Sequence, residues 1–162
     1  TEWADELVGG ILNAGPTRLE AAARKGIPAI VTPGCLDMVN FGAPETVPEK
    51  FRGRNFYPHN PQVTLMRTTP DECAKLGTIL AQKVNLSVGP VTVLIPRRGI
   101  SIIGVAGQKF HDAEADEELF RAIKTNLRED IRLMEMDCAI NDPVFAEACA
   151  NELLINLGRR SR

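Results

Sequence analysis

Apolar positions along this chain switch between two periods, and the switches mark its elements. Ala29-Ile30-Val31-Thr32 and Val91-Thr92-Val93-Leu94-Ile95 are short apolar runs rich in β-branched residues, the signature of buried strands, and Ile131–Met136 reads as a third strand. The second is continuous, as expected when helices cover both faces of a sheet. Between and after them the spacing becomes helical. Cys73, Leu76, Gly77, Leu80 and Val84 share one face, as do Leu119, Phe120, Ile123 and Leu127, and then Val144, Phe145, Ala148, Cys149 and Leu153.

Helix ends agree with these periods. Thr69-Pro70-Asp71-Glu72 is a capping box with proline at the first helical position, and Gly89-Pro90 stops the helix that follows. Glu114, Asp116, Glu117 and Glu118 crowd the start of the next helix, predicted over 113–127, while Lys124 and Arg128 lie near its end, matching the helix dipole. Asp142-Pro143 predicts the cap and first turn of the last helix. Residues 2–25 read as two helical pieces, 2–8 and a second opened by Pro16 and stopped by Gly26.

Strand–helix alternation of this kind implies right-handed βαβ crossovers. The expected fold is an α/β three-layer, Rossmann-like domain over residues 1–158 with a mainly parallel sheet, followed by a basic tail at 159–162. Residues 42–69 show no strong helical period and carry several prolines. Phe51, Phe56, Tyr57, Val63, Leu65 and Met66 are too much apolar material to leave solvated, so short extended pieces at 55–57 and 63–67 are expected. The same stretch concentrates Lys50, Arg52, Arg54, His59 and Arg67, a candidate lid with a cationic lining.

Composition removes several function classes. The 162 residues are 44% apolar and 25% charged, with a net charge of −2, so no overall field draws the chain to nucleic acid or anionic membrane. No apolar run approaches the roughly 20 residues of a membrane-spanning helix. Cys35, Cys73, Cys138 and Cys149 are widely spaced with no C-x-x-C pair, which reads as free thiols in a reducing, cytoplasmic compartment. The chain opens on Thr1 directly before helical sequence, which reads as a piece of a longer protein.

Ligands of open parallel sheets bind outside the carboxyl ends of the strands. Gly34, Asp37, Asn40 and Gly42 follow the first strand, and Arg97, Arg98, Gly99 and Ser101 follow the second. Arginine holds phosphate or carboxylate bidentately, and glycine exposes backbone amides. Neither a G-x-G-x-x-G nor a Walker-type glycine loop is present. Plainer roles stand beside these: Asp37 or Asn40 as a turn cap, the arginine pair bonded to acids of the next helix. His111-Asp112, just before a helix, and His59 are the acid/base candidates, against a cap and a surface ring. A metal would need Asp37, Asp112 or Asp142 beside the two imidazoles, and none is expected.

Longer motifs point to a family. Asp5-Glu6-Leu7-Val8-Gly9-Gly10, Ala14-Gly15-Pro16-x-Arg18-Leu19-Glu20-Ala21-Ala22, and Pro33-Gly34-x-Leu36-Asp37-Met38-Val39-Asn40-Phe41-Gly42 are the first. Phe51-Arg52-Gly53-Arg54-Asn55, His59 through Thr69, Phe110-His111-Asp112 and Asn141-Asp142-Pro143 continue them. On these the chain resembles the family of the plant tobamovirus-resistance protein and its bacterial and fungal relatives, often labelled ATP-binding. The resemblance implies a module about twice this length with two Rossmann-like halves, of which this is the C-terminal one. It also implies nucleotide binding somewhere in the module and, in the plant member, inhibition of a viral replication protein.

Three functional expectations follow. The first is a binding domain for a phosphate- or carboxylate-bearing ligand, such as ATP. Gly34, Asp37, Asn40, Arg97, Gly99 and Ser101 would line its cleft, closed by Arg54, His59 and Arg67. The second is an enzyme on a small anionic metabolite, with His111 or His59 as acid/base and Asp112 or Asp37 orienting it. The third is an interaction domain that blocks a partner. The other half of the module and a second copy are the expected macromolecular partners.

Overall fold

The computed structural model describes residues 1–160, with no side-chain detail for the last two of these. Three strands, β1 (Ala29–Val31), β5 (Val91–Pro96) and β6 (Arg132–Met136), form a parallel sheet in the order β1-β5-β6. One face meets α3 (Pro70–Val84) and α4 (Ala113–Asn126). Leu76, Leu80 and Val84 from α3 and Leu119, Phe120 and Ile123 from α4 pack on Val91, Val93 and Ile95. The other face meets α5 (Pro143–Arg160), through Phe145 against Leu94 and Cys138. These are the three layers the alternation predicts.

Local chemistry explains each helix. The Thr69 hydroxyl accepts from the Glu72 amide at 3.2 Å, and Glu72 Oε2 accepts from the Thr69 amide at 2.8 Å, completing the capping box. Gly77 lets α3 and α4 touch backbone to backbone, since a Cβ there would stand 2.4 Å from the Leu119 carbonyl. Asp112 caps α4 by accepting from the Ala115 amide at 3.0 Å. α5 departs from expectation. Phe145 is buried, but Val144 and Leu153 are exposed, and Glu152 and Asn156 occupy the buried face instead. Asn156 donates to the Ala29 carbonyl and to the Thr92 hydroxyl, so polar pins dock the helix where an apolar stripe was expected. The helix continues through Arg160, past the expected boundary at 158; residues 161 and 162 of the expected tail lie outside the described residues.

Two further corrections concern the segments flanking β1. The helix expected from Pro16 begins at Glu20 (α2, Glu20–Arg24), because Leu19 adopts a left-handed φ of 77°. The stretch read as a loop at 33–42 is a tight turn followed by a buried strand, β2 (Met38–Phe41). With β3 (Phe56–Asn60) and β4 (Val63–Arg67) it forms a separate antiparallel sheet in the order β2-β4-β3. The proposed lid is therefore strand and hairpin. It sits beyond the carboxyl end of the parallel sheet, joined through the Thr68 amide to the Asp37 carbonyl and the Thr68 hydroxyl to the Leu36 carbonyl. α1 (Glu2–Val8) packs against β2 and α3.

Candidate functional site

Three turns leave the carboxyl ends of the parallel strands and meet. The Cys35 amide, after β1, donates to the Ile100 carbonyl after β5 at 2.9 Å; the Ile140 amide, after β6, donates to the Gly99 carbonyl at 2.9 Å. Gly99 holds φ at 142°, a conformation few side chains tolerate, and Gly34 stands close against Ile140. Between these turns and the antiparallel sheet lies a crevice of about 360 Å³. Met38, Leu65, Ile102, Ile103 and Ile140 make it largely apolar; Ser101, His59, Asn141 and Cys35 add polar atoms. Ile102 is 71% exposed, an unusual place for isoleucine.

His59 reaches the crevice because the β3–β4 ladder slips between Pro58 and Asn60. An irregularity of this kind turns a side chain out of the regular alternation. At the opposite wall Ser101, itself buried, donates to Asp37 Oδ2. Asp37 is fully buried, and its Oδ1 has no partner among the described residues. Burial pushes the Asp37 carboxyl above its ordinary value, against the opposing pull of Ser101 and Arg67. Gly104 closes over this pair: a Cβ there would stand 2.6 Å from Asp37 Oδ2. Burial likewise raises the Cys35 thiol, with the Asp37 charge adding to it, so this thiol is a poor nucleophile.

The arginines are held elsewhere. Arg67 is 4% exposed, with Nε on the Phe110 carbonyl (2.8 Å), one terminal nitrogen on the Thr68 hydroxyl (3.0 Å) and the other on Asp116 (2.7 Å) and the Asp112 carbonyl (3.3 Å). Arg54 grips Glu72 with both terminal nitrogens, at 3.1 and 2.7 Å, and also the Arg67 carbonyl. Arg97 lies over the Phe120 ring and bonds Glu117 at 2.6 Å and Glu135 at 3.3 Å; Arg98 is bidentate to Asp137. Arg97 thus meets an acid of the next helix, Glu117, as in the plainer reading, whereas Arg98 pairs with Asp137 beyond β6.

Asn40 is similarly engaged. Its amide and side chain donate to Asp5, at 2.8 and 3.2–3.3 Å, deep beneath β2. His111 meets the Gly104 carbonyl at 3.3 Å and does not line the crevice. Of the residues singled out in the sequence, Ser101 and His59 line the crevice, with Asp37 behind Ser101 and Gly34 and Gly99 shaping its turns. Asn40, Arg54, Arg67, Arg97, His111 and Asp112 do not converge on it. Sequence reasoning did not bring Met38, Leu65, Ile102, Ile103 and Ile140 together; the short apolar run after Arg97-Arg98-Gly99 pointed only to Ile102 and Ile103, and the other three come from distant segments. Among the described residues no group of three His, Cys, Asp or Glu side chains is disposed to hold a metal, and no helix is long and apolar enough to cross a membrane.

Comparison with known proteins gives a consistent result. Residues 1–156 match the profile described as "Uncharacterised protein family (UPF0261) C-terminal domain". UPF0261 proteins of Clostridium tetani and Rhizobium meliloti are 49% and 51% identical over 95% and 91% of the chain. The ToMV resistance protein Tm-1 of Solanum lycopersicum is 38% identical over 95% of it. The chain spans 38% of the length of each bacterial relative and 21% of the tomato protein.

Proposed function

The chain belongs to the UPF0261 family, whose C-terminal domain it matches, and from that premise we propose that it is a small-molecule-binding domain whose ligand seats in the crevice at the carboxyl edge of the parallel sheet. The ligand has an apolar body and one anionic end, of the carboxylate class. Its body packs on Met38, Leu65, Ile102, Ile103 and Ile140, and its charged end meets His59 and the Asn141 amide. One observation carries the reading: turns from all three parallel strands, with His59 turned in from the second sheet, wall a single apolar crevice. The anion is single rather than a triphosphate, because Arg54, Arg67, Arg97 and Arg98 are each engaged by carboxylates of the chain itself.

Thermal denaturation with a panel of short-chain and branched carboxylic acids, inorganic phosphate and ATP tests this. The expected result is stabilisation by one or more of the acids, growing with concentration and lost in Ile102→Asp. Stabilisation by ATP alone, unaffected by Ile102→Asp, would overturn it.

One observation favours turnover over simple capture. Asp37, pushed toward its protonated form, lies directly behind Ser101, and the His59 imidazole lines the same crevice as Ser101. On this reading His59 takes or gives the proton and Asp37 positions Ser101. Conversion of a bound acid that fails in His59→Gln, with ligand binding retained, is the expected signature.

A further inference from the structure

A second groove, of about 460 Å³, runs along the outer edge of β1. Ala21, Ala22 and Ala23 line one side and residues 29–31 the other, with Val84 and Val91 at its inner end. β1 is the last strand of the parallel sheet on this side, and all three of its residues are only partly buried. Residues of a parallel strand turn their backbone groups alternately to the two neighbours. The Ala29 amide bonds the Pro90 carbonyl beside β5, so by this alternation Ala29 and Val31 turn toward β5 and the Ile30 N–H and C=O turn away from it, toward the groove. A flat, β-branched, uncovered strand edge is a template for another strand.

Chain topology says which strand. The β1→β5 and β5→β6 connections carry α3 and α4 on the same face of the sheet. Such crossovers are right-handed in about 98% of cases. α1 and α2 precede β1 and pack against α3 on that same face. A right-handed crossover through α1 and α2 must therefore start from a strand on the far side of β1 from β5, which is where the groove lies. Thr1, Glu2 and Trp3 stand against Val31, Thr32 and Gly34 at the carboxyl end of β1, where a strand parallel to it would end. On the other face, exposed Leu153, Leu154, Ile155 and Leu157 bracket Asn156, the residue that reaches Ala29.

We infer that this edge takes one more parallel strand, pairing with β1 through Ile30, and that the polypeptide ahead of this domain in the longer UPF0261 proteins supplies it. The match to a C-terminal domain, over 38% of the bacterial relatives' length, puts such polypeptide in place. The strand is apolar on both faces, with α2 on one side and the end of α5 on the other.

Hydrogen exchange at the Ile30 amide tests the assignment. The 162-residue chain is compared with one extended at Thr1 by the 60 or so residues that precede the matching region in the Clostridium tetani relative. Ile30 should exchange freely in the first and slow by on the order of 100-fold in the second. The full-length relative, measured at the aligned amide, gives the same reading should the hybrid fail to fold. Ala22→Phe, which fills the groove, should leave the melting point of the 162-residue chain unchanged or higher and lower that of the extended chain. An Ile30 amide that stays unprotected in folded extended and full-length proteins overturns the proposal. So does protection in the 162-residue chain that rises with concentration alongside dimer formation, which would assign the edge to a second copy.

Discussion

The Arg67 cluster and the crevice are neighbours along β4, which gives Arg67 to one and Leu65 to the other, and they are built by opposite means. Arg67 is saturated: the Phe110 and Asp112 carbonyls, the Thr68 hydroxyl, the Cys73 sulfur and Asp116 take its five donating directions, with almost no exposed surface. The crevice is the reverse, with apolar walls, few charges and polar atoms left unengaged. A buried charge must be paired within the fold, and once paired it has little left to offer a ligand. The most conspicuous cations of this sequence therefore tie the antiparallel sheet to α3 and α4. The residues that line the crevice include no arginine, lysine or carboxylate.

The largest expected effect tests the saturated side. Asp116→Ala leaves Arg67 charged and unpaired in the interior, which costs about 3–5 kcal/mol; urea denaturation should show that loss. A change under 1 kcal/mol would mean that Arg67 is free to turn toward a ligand.

Gly104→Ala comes next, because it strikes the boundary between the two regions. Its Cβ would press on Asp37 Oδ2 and Ser101, and overpacking of this kind costs about 1–3 kcal/mol. Ligand binding should weaken with it, since Ser101 is a crevice wall.

Glu72→Gln removes the charge opposite Arg54 and should cost about 1 kcal/mol at neutral pH. Burial raises the Glu72 carboxyl, but its bonds to Arg54 and Thr69 outweigh this, and the net shift is downward. The folded state therefore binds this proton less readily than the unfolded chain. The pair's contribution is fully present above the ordinary carboxylate range and fades as pH falls through the lowered folded value. Denaturation of both proteins should thus differ at pH 7 and converge in acid.

The smallest stability effect should come from the most exposed crevice residue. Ile102→Ser should change stability by less than about 0.5 kcal/mol while reducing ligand-dependent stabilisation.

What the sequence disclosed follows the range of the interactions involved. The capping box of α3 and the unbroken apolar run of β5 are local and were legible. β2 was not, because Gly34 and Gly42 bracket it, Asn40 interrupts it, and its partner β4 lies some 25 residues on. Asn40 sits in a buried strand only because Asp5, 35 residues earlier, receives both its donors. The arginines misled for the same reason. Glu72 is 18 residues from Arg54 and Asp116 is 49 from Arg67, so their engagement exists only in the fold. His59 was legible as a candidate, but not the slip in β3 that aims it.

On this reading the domain binds through its apolar crevice and not through its arginines. Two-dimensional NMR with methyl-labelled isoleucine, titrated with the carboxylic acids that stabilise the protein and separately with ATP, tests it most directly. The acids should shift the Ile102, Ile103 and Ile140 methyls and leave the Arg67 and Arg97 side-chain signals in place. Unmoved isoleucine methyls, with shifts at Arg67 or Arg97 on adding ATP, would contradict it.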